Sequence, residues 1–186
     1  MSPLNIKGIT EIKLIEQCLL NDRVSQKQLY ELYARKMFSL CKRYARYEAE
    51  AEDFMQEGFV SVFRNLHQFK RNGSFEGWIR RIMVNTALKH IKKKSFSHEI
   101  PGIEDYKHRS VDPDIFSKLS EDELMKLISD LPDGYRTVFN LFAIEGYSHK
   151  EIGIQLEIGE STSRSQLVKA RRLLQQKIEN LKKIAV

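Results

Sequence analysis

At 186 residues and 21.8 kDa, the chain has room for one domain or two small ones. Apolar residues make up 41% and charged residues 30%, with four prolines, a balance that suits a helical, soluble protein. The net charge of +6 and a pI near 9.2 make a polyanion the first partner to consider. No run approaches the ~18 apolar residues of a membrane span and the N-terminus lacks a signal peptide's apolar core, so a cytoplasmic protein is expected. Cys18 and Cys41 lie far apart without metal-ligand spacing, and read as buried helix positions in a reducing compartment.

The charge is segregated. Residues 1–95 hold eighteen basic and ten acidic side chains, whereas 96–119 hold three and five. Beyond that, 121–160 carry nine acids against three bases, and 164–183 carry seven bases against one acid. Solubility alone gives no reason to separate two basic stretches by acidic ones.

In chain order, the spacing predicts a short helix over Thr10 to about Leu20, with Ile12, Ile15 and Leu19 on one side. Asp22 or Ser25 can cap a longer helix running to about Tyr47, with Leu29, Leu32, Tyr33, Phe38, Leu40, Cys41 and Tyr44 at helical spacing. A third helix, from near Ala49 to before Phe69, buries Phe54, Met55, Phe59, Val62, Phe63 and Leu66. Its first turns carry Glu48, Glu50, Glu52, Asp53 and Glu57. Acids there suit the helix dipole, yet five with no intervening base equally fit a docking face for a basic partner.

Asn72-Gly73-Ser74 is turn chemistry, and a helix is predicted from about Ser74 to about Lys93. Phe75, Ile79, Ile82 and Thr86 form its core stripe, while Trp78, Arg81, Asn85, Lys89 and Lys92 fall along one edge. Phe69 to Lys94 contains eight basic residues, one acid and the only tryptophan. An aromatic ring flanked by cations and an amide can stack on an unpaired base while neutralising phosphates. The alternative is a core-packing Trp78 beside a solvated basic flank.

Residues 96–119 show no helical or strand period and contain Pro101-Gly102 and Asp112-Pro113, so they read as a flexible, mildly acidic linker. The second domain, 120–182, opens on a capping box, Ser120 with Glu123. A helix over Tyr135 to Glu145 buries Val138, Phe139 and Phe142, and Gly146 stops it. Ser148 and Glu151 form a second capping box before a short helix with Ile152 and Leu156 inward. A tight turn at Glu157–Gly159 then leads to a longer helix with Leu167, Ala170 and Leu174 inward. This is the layout of a helix-turn-helix. Ser161, Thr162, Ser165, Lys169 and Arg172 face outward, with Arg164, Gln166 and Val168 beside them. Small hydroxyls admit the helix to a major groove, where Arg, Lys and Gln reach base edges and phosphates. A plain helical hairpin with a solvated basic face is the alternative.

The stretches AEDFMQEGFVSVFRNLHQF and FEGWIRRIMVNTALKHIKK, followed by LPDGYRTVFNLFAIEGYSHKEIGIQL and STSRSQLVKARRLL, resemble the bacterial extracytoplasmic-function (ECF) sigma factors. The wording of the third stretch is similar to versions found in Bacteroidetes. The resemblance covers about Gln28 to Lys177 and implies an all-α protein of two small helical domains, region 2 (10–95) and region 4 (120–182). It implies that Asp53, Gln56 and Glu57 dock on core RNA polymerase. The Lys70–Gly73 loop, with Arg71 and Asn72, together with Trp78, Arg81, Asn85, Lys89 and Lys92, is implied to capture and melt the minus-ten element. The helix starting near Glu160 is implied to read the minus-thirty-five element of promoter DNA, and a membrane-anchored anti-sigma factor is the implied regulator.

Three departures stand out. Glu157-Ile158-Gly159 replaces the usual Gly-Ile-Ser of the turn, so that either a Glu takes a positive-φ position at a cost of ~1 kcal/mol or the turn shifts by one residue, moving the recognition-helix cap and face with it. Gly153 replaces a common alanine, and Gln166 stands where many members carry a base. No catalytic set, metal cluster, cofactor loop or small-molecule site stands out, and the five histidines are scattered. The rival readings are a stand-alone helix-turn-helix repressor or activator, which needs neither the acidic helix nor a stacking Trp, and a nucleic-acid enzyme, for which no metal-binding carboxylate set is visible.

Overall fold

The computed structural model describes residues 5–6, 9–95 and 120–184. The fold is all-α, in two compact units, Met1–Ala87 and Leu88–Val186. The predicted linker lies outside the described residues.

In the first unit, a two-residue antiparallel ladder pairs β1 (Asn5–Ile6) with β2 (Ile9–Thr10), an element the pattern did not predict. Helix α1 (Glu11–Leu19) buries Leu14, Ile15 and Cys18. The expected inward residues Ile12 and Leu19 are instead 45% and 43% exposed. Both sets keep helical spacing, so periodicity alone does not choose between them. The rotation that buries Leu14, Ile15 and Cys18 also places Glu11 on the inward face, where its carboxylate accepts from the Tyr33 hydroxyl.

Helix α2 (Arg23–Lys42) starts at Asp22, whose Oδ2 accepts from the Ser25 N–H at 2.8 Å. The Ser25 hydroxyl, and after it that backbone cap, hold the Asp22 carboxyl below its ordinary range. The helix stops short of the predicted Tyr47. Arg43 N–H donates to Leu40 O and Tyr44 N–H to Cys41 O, three-residue bonds that tighten the chain and turn Tyr44 and Ala45 into the core. Burial pushes the Cys18 thiol up to about 11, with Asp22 adding to the effect, and the Cys41 thiol up to about 12. Both therefore stay protonated packing groups.

Helix α3 (Glu48–Asn65) buries Ala51, Phe54, Met55, Phe59 and Val62 and runs into a 3₁₀ turn at Leu66–Gln68. A Cβ on Gly58 would stand 2.2 Å from Met83 Sδ, so the buried methionine occupies space that a side chain there would need. Helix α4 (Phe75–Ser95), whose residues from Leu88 onward belong to the second unit, buries Phe75, Ile79 and Thr86 as expected, together with Met83, Val84, Ala87 and Leu88, whereas Ile82 is half-buried.

In the second unit, both predicted capping boxes are present. Ser120 opens α5 (Glu121–Ser129) and Ser148 opens α7 (His149–Leu156). Leu127, Ile128, Leu131 and Tyr135 pack against Ala170, Leu174 and Ile178 of α8 (Glu160–Ile184) to form the core. The predicted Tyr135–Glu145 helix divides into α6 (Asp133–Phe139) and a π-helical turn, Asn140–Ile144, which Gly146 follows at φ 77°. Phe139 and Phe142 are half-buried rather than core.

The α7–α8 turn explains two of the sequence's departures. Glu157 adopts φ 59°, ψ 39°, and its N–H donates to Gly153 O. A Cβ on Gly153 would stand 2.9 Å from Ile158 O, a backbone atom that cannot swing aside. Glycine is therefore what lets the turn fold back over α7. In an ordinary helix interior, Gly→Ala gains about 1 kcal/mol. Gly153→Ala is expected to lower stability instead, measured by chemical denaturation, because Ile158 must move. A rise of about 1 kcal/mol would show that the close approach is not required.

Candidate nucleic-acid interface

The first candidate surface is built on α4. Ser74 caps the helix, its Oγ accepting from Gly77 N–H at 3.1 Å. The preceding loop needs two unusual backbone conformations, Arg71 at φ 58° and Gly73 at φ 122°. Arg71 is also tethered, its guanidinium 2.9 Å from Glu16 Oε1, so α1 helps to hold the loop. Both groups are about half exposed, and such a pair contributes at most about 1 kcal/mol. This tether between residues 55 apart in sequence left no local signal.

Along α4, the uninterrupted helix puts Trp78, Arg81, Asn85, Lys89 and Lys92 on one edge. Arg81, Asn85 and Lys89 are exposed, and Trp78 and Lys92 half-buried. The Trp78 ring lies 5.5 Å from Phe69 and 5.6 Å from Phe75, nearly parallel to the latter, and Phe75 meets Tyr33 edge-on at 5.7 Å. An ion pair from Lys36 Nζ to Glu76 Oε2 at 2.7 Å ties α2 to the same turn. Trp78 is thus an aromatic-cluster member with an accessible edge, combining features of both readings.

On α3 the acids divide by role. Glu50 is 6% exposed, and its Oε2 accepts from Arg46 N–H at 2.6 Å, so it serves the helix start. Asp53, Gln56 and Glu57 are exposed along one face with Val60, which is 56% exposed.

The second surface is α8. Ser163, Leu167, Ala170 and Leu174 are buried, which fixes the helix rotation. Ser161, Thr162, Arg164, Ser165 and Lys169 are exposed; Arg172 and Gln166 are half-buried. On the helical wheel Gln166 falls on the flank, away from the centre of the outward face at Ser161, Ser165 and Arg172. The Arg164 guanidinium pairs with Glu160 one turn earlier.

Sequence reasoning missed the role of His149. Its Nδ1 lies 2.9 Å from the Oγ of the buried Ser163, and its ring stacks on Phe142 at 4.4 Å and 19°. Arg171 lies over the other partner, its Cζ 5.8 Å from the Phe142 centroid. These contacts join the π turn, α7 and α8. The spacing of Ser163 with Leu167 and Ala170 was the available signal, since it puts the hydroxyl on the inward stripe. Desolvation, then Arg164 and Arg171, against an opposing Glu160, lower the His149 pKa below 6.5.

The chain thus carries a basic, aromatic-bearing helix and, after it, a helix-turn-helix. The family described as Sigma-70 region 2 matches residues 29–96, and Sigma-70 region 4 matches 121–174. The chain is 30% identical to the ECF RNA polymerase sigma factor SigW of Bacillus subtilis (strain 168), over 91% of this chain and 97% of that protein. It is 26% identical to the ECF RNA polymerase sigma-E factor of Escherichia coli (strain K12), over 93% and 96%. Among solved structures, the sigma factor RpoE in complex with the anti-sigma factor NepR from Bartonella quintana shares the fold, with a TM-score of 0.50 and 17% identity over 81% and 94% of the two chains. The chain belongs to the ECF RNA polymerase sigma factors, subunits that bind core RNA polymerase and direct promoter-specific initiation of transcription.

Two outcomes test the geometry. Trp78→Ala is expected to cost about 2–4 kcal/mol of stability without DNA, and Trp78→Phe under about 1.5 kcal/mol. A loss below about 1 kcal/mol for the alanine would mean that the ring contributes little to packing. For His149, a folded pKa below the unfolded value means that the neutral ring is the one the fold favours. Its contribution is full above about pH 6.5 and declines as pH falls from there through the lowered folded pKa. Thermal unfolding of the wild type should therefore lose stability over that window more steeply than His149→Gln; parallel curves would contradict the assignment.

Proposed function

We propose that the two units divide the work of promoter recognition, with domains at 10–95 and 120–182 and a linker at 96–119. Asp53, Gln56 and Glu57 dock on core polymerase. Lys70, Arg71, Asn72, Trp78, Arg81, Asn85, Lys89 and Lys92 capture the melted minus-ten strand. Ser161, Thr162, Arg164, Ser165, Gln166, Lys169 and Arg172 engage the minus-thirty-five duplex. The observation that carries the reading is the shared edge of α4, where cations and an amide line up beside an aromatic ring held by Phe69 and Phe75. Unpaired bases offer a π-face and a phosphate string, and this edge offers the matching groups.

In this reading most of the DNA energy at α4 comes from Lys70, Arg71 and Arg81, because packing already occupies part of the Trp78 ring. The protein acts in the cytoplasm, without catalytic chemistry, cofactor or small-molecule substrate. Among the described residues, no helix is long and apolar enough to cross a membrane. A membrane-anchored anti-sigma factor is the proposed regulator; the similarly folded RpoE is itself bound by an anti-sigma factor. The wording of the 131–156 stretch supports a Bacteroidetes-like member.

The docking assignment is tested by Asp53→Lys combined with Glu57→Lys, which should fold normally and lose binding to core polymerase in a pull-down; unchanged affinity would remove these residues from the interface. For duplex reading, Lys169→Ala and Arg172→Ala should each lower the log–log salt slope of minus-thirty-five binding by ~0.9 per lost phosphate contact, uniformly across sequences. Arg164→Ala and Gln166→Ala should instead relax preference at one base pair, at ~1–3 kcal/mol. An equal loss on every sequence for all four would make α8 a positioning helix only.

A further inference from the structure

Val168 is 57% exposed on α8, although the residues around it on the outward surface are polar. A single exposed valine is ordinary on a protein surface. This one is distinguished by its position. At helical spacing it stands one turn from Arg164 and Ser165 and two from Ser161 on one side, and one turn from Arg172 on the other, on the side of the helix away from the buried Leu167, Ala170 and Leu174. The serines are short, so they leave the valine methyls prominent between the cations.

The major groove offers hydrogen-bonding groups at every base pair but only one apolar group, the C5 methyl of thymine. Val168 has no donor or acceptor, and its branched Cβ holds it in a strongly preferred rotamer, so little freedom is lost on contact. Building on the reading of α8 as the duplex-recognition helix, we infer that Val168 is a specificity-determining residue that recognises a thymine methyl in the major groove. Lys169 and Arg172 hold the backbone, and the valine contributes sequence preference for one A·T orientation, since a methyl on the opposite strand lies elsewhere in the groove.

The test uses the full chain assembled with core polymerase. A duplex library randomised over the minus-thirty-five segment yields the preferred sequence, and each thymine in it is replaced in turn by deoxyuridine, which pairs identically but lacks the methyl. At one position the replacement should weaken wild-type binding about three- to fourfold. Val168→Ala should weaken binding to the thymine duplex by a similar factor and be indifferent to deoxyuridine at that position. Alanine is the stronger helix former at an exposed site, so unfolding does not account for that loss. The inference is overturned if the preferred sequence holds no thymine, if wild type tolerates every replacement, or if Val168→Ala keeps the wild-type sensitivity. The underlying reading is tested separately by Lys169→Ala and Arg172→Ala. If they alter the salt slope while Val168→Ala changes nothing, only the thymine contact fails; if none of the three alters duplex binding, both fail.

Discussion

The packing of Phe75 between Tyr33, Phe69 and Trp78 is the constraint on which the proposed DNA surface of α4 depends. Phe75 is the first residue of α4 and 2% exposed, so its ring anchors the helix at the end where the basic loop enters. Tyr33 is held in turn by Glu11, and Lys36 reaches Glu76 from the same helix. Burial, then the Glu11 hydrogen bond and charge, raise the Tyr33 pKa far above its ordinary value, so the hydroxyl remains a donor throughout the physiological range. Each aromatic contact is worth about 0.5–1.5 kcal/mol beyond its buried area. Together they settle how α4 is rotated, and that rotation determines which side chains share the exposed edge.

The second unit solves a similar problem with backbone geometry. Gly153 admits the Ile158 carbonyl, Glu157 takes a left-handed conformation, and α8 starts immediately afterwards at Glu160. A strained Glu costs about 1 kcal/mol that a glycine would not. Tertiary contacts offset it: the buried Ser163 hydroxyl meets His149, and Leu167, Ala170 and Leu174 close the core. The outward face of α8 follows from this inward anchoring, and the polar and apolar groups it presents are consequences of a fixed rotation.

Much of this was legible in the sequence. Capping boxes at Ser120 and Ser148 and the inward stripe of α8 rest on local chemistry, and all appear in the structure. What escaped was information carried by distant partners. Ile12 and Leu19 kept helical spacing yet point outward, because α1 packs on Leu14, Ile15 and Cys18 and meets Tyr33 through Glu11. Glu50 looked like one acid among five until Arg46 N–H claimed it. The Arg71–Glu16 pair and the His149–Ser163–Phe142 contacts likewise join segments that no window of sequence compares. The π turn after α6 was hidden for a different reason, since its composition is that of an ordinary helix.

The central claim is that the α4 edge opens DNA whereas α8 holds duplex. The most direct measurement follows promoter opening by fluorescence of a 2-aminopurine placed in the minus-ten segment, together with closed-complex affinity, using holoenzyme reconstituted from the full chain. Charge-neutral replacement of Lys70, Arg71 and Arg81 should nearly abolish opening at saturating protein while sparing closed-complex affinity. Opening at the wild-type rate by that variant would contradict the account.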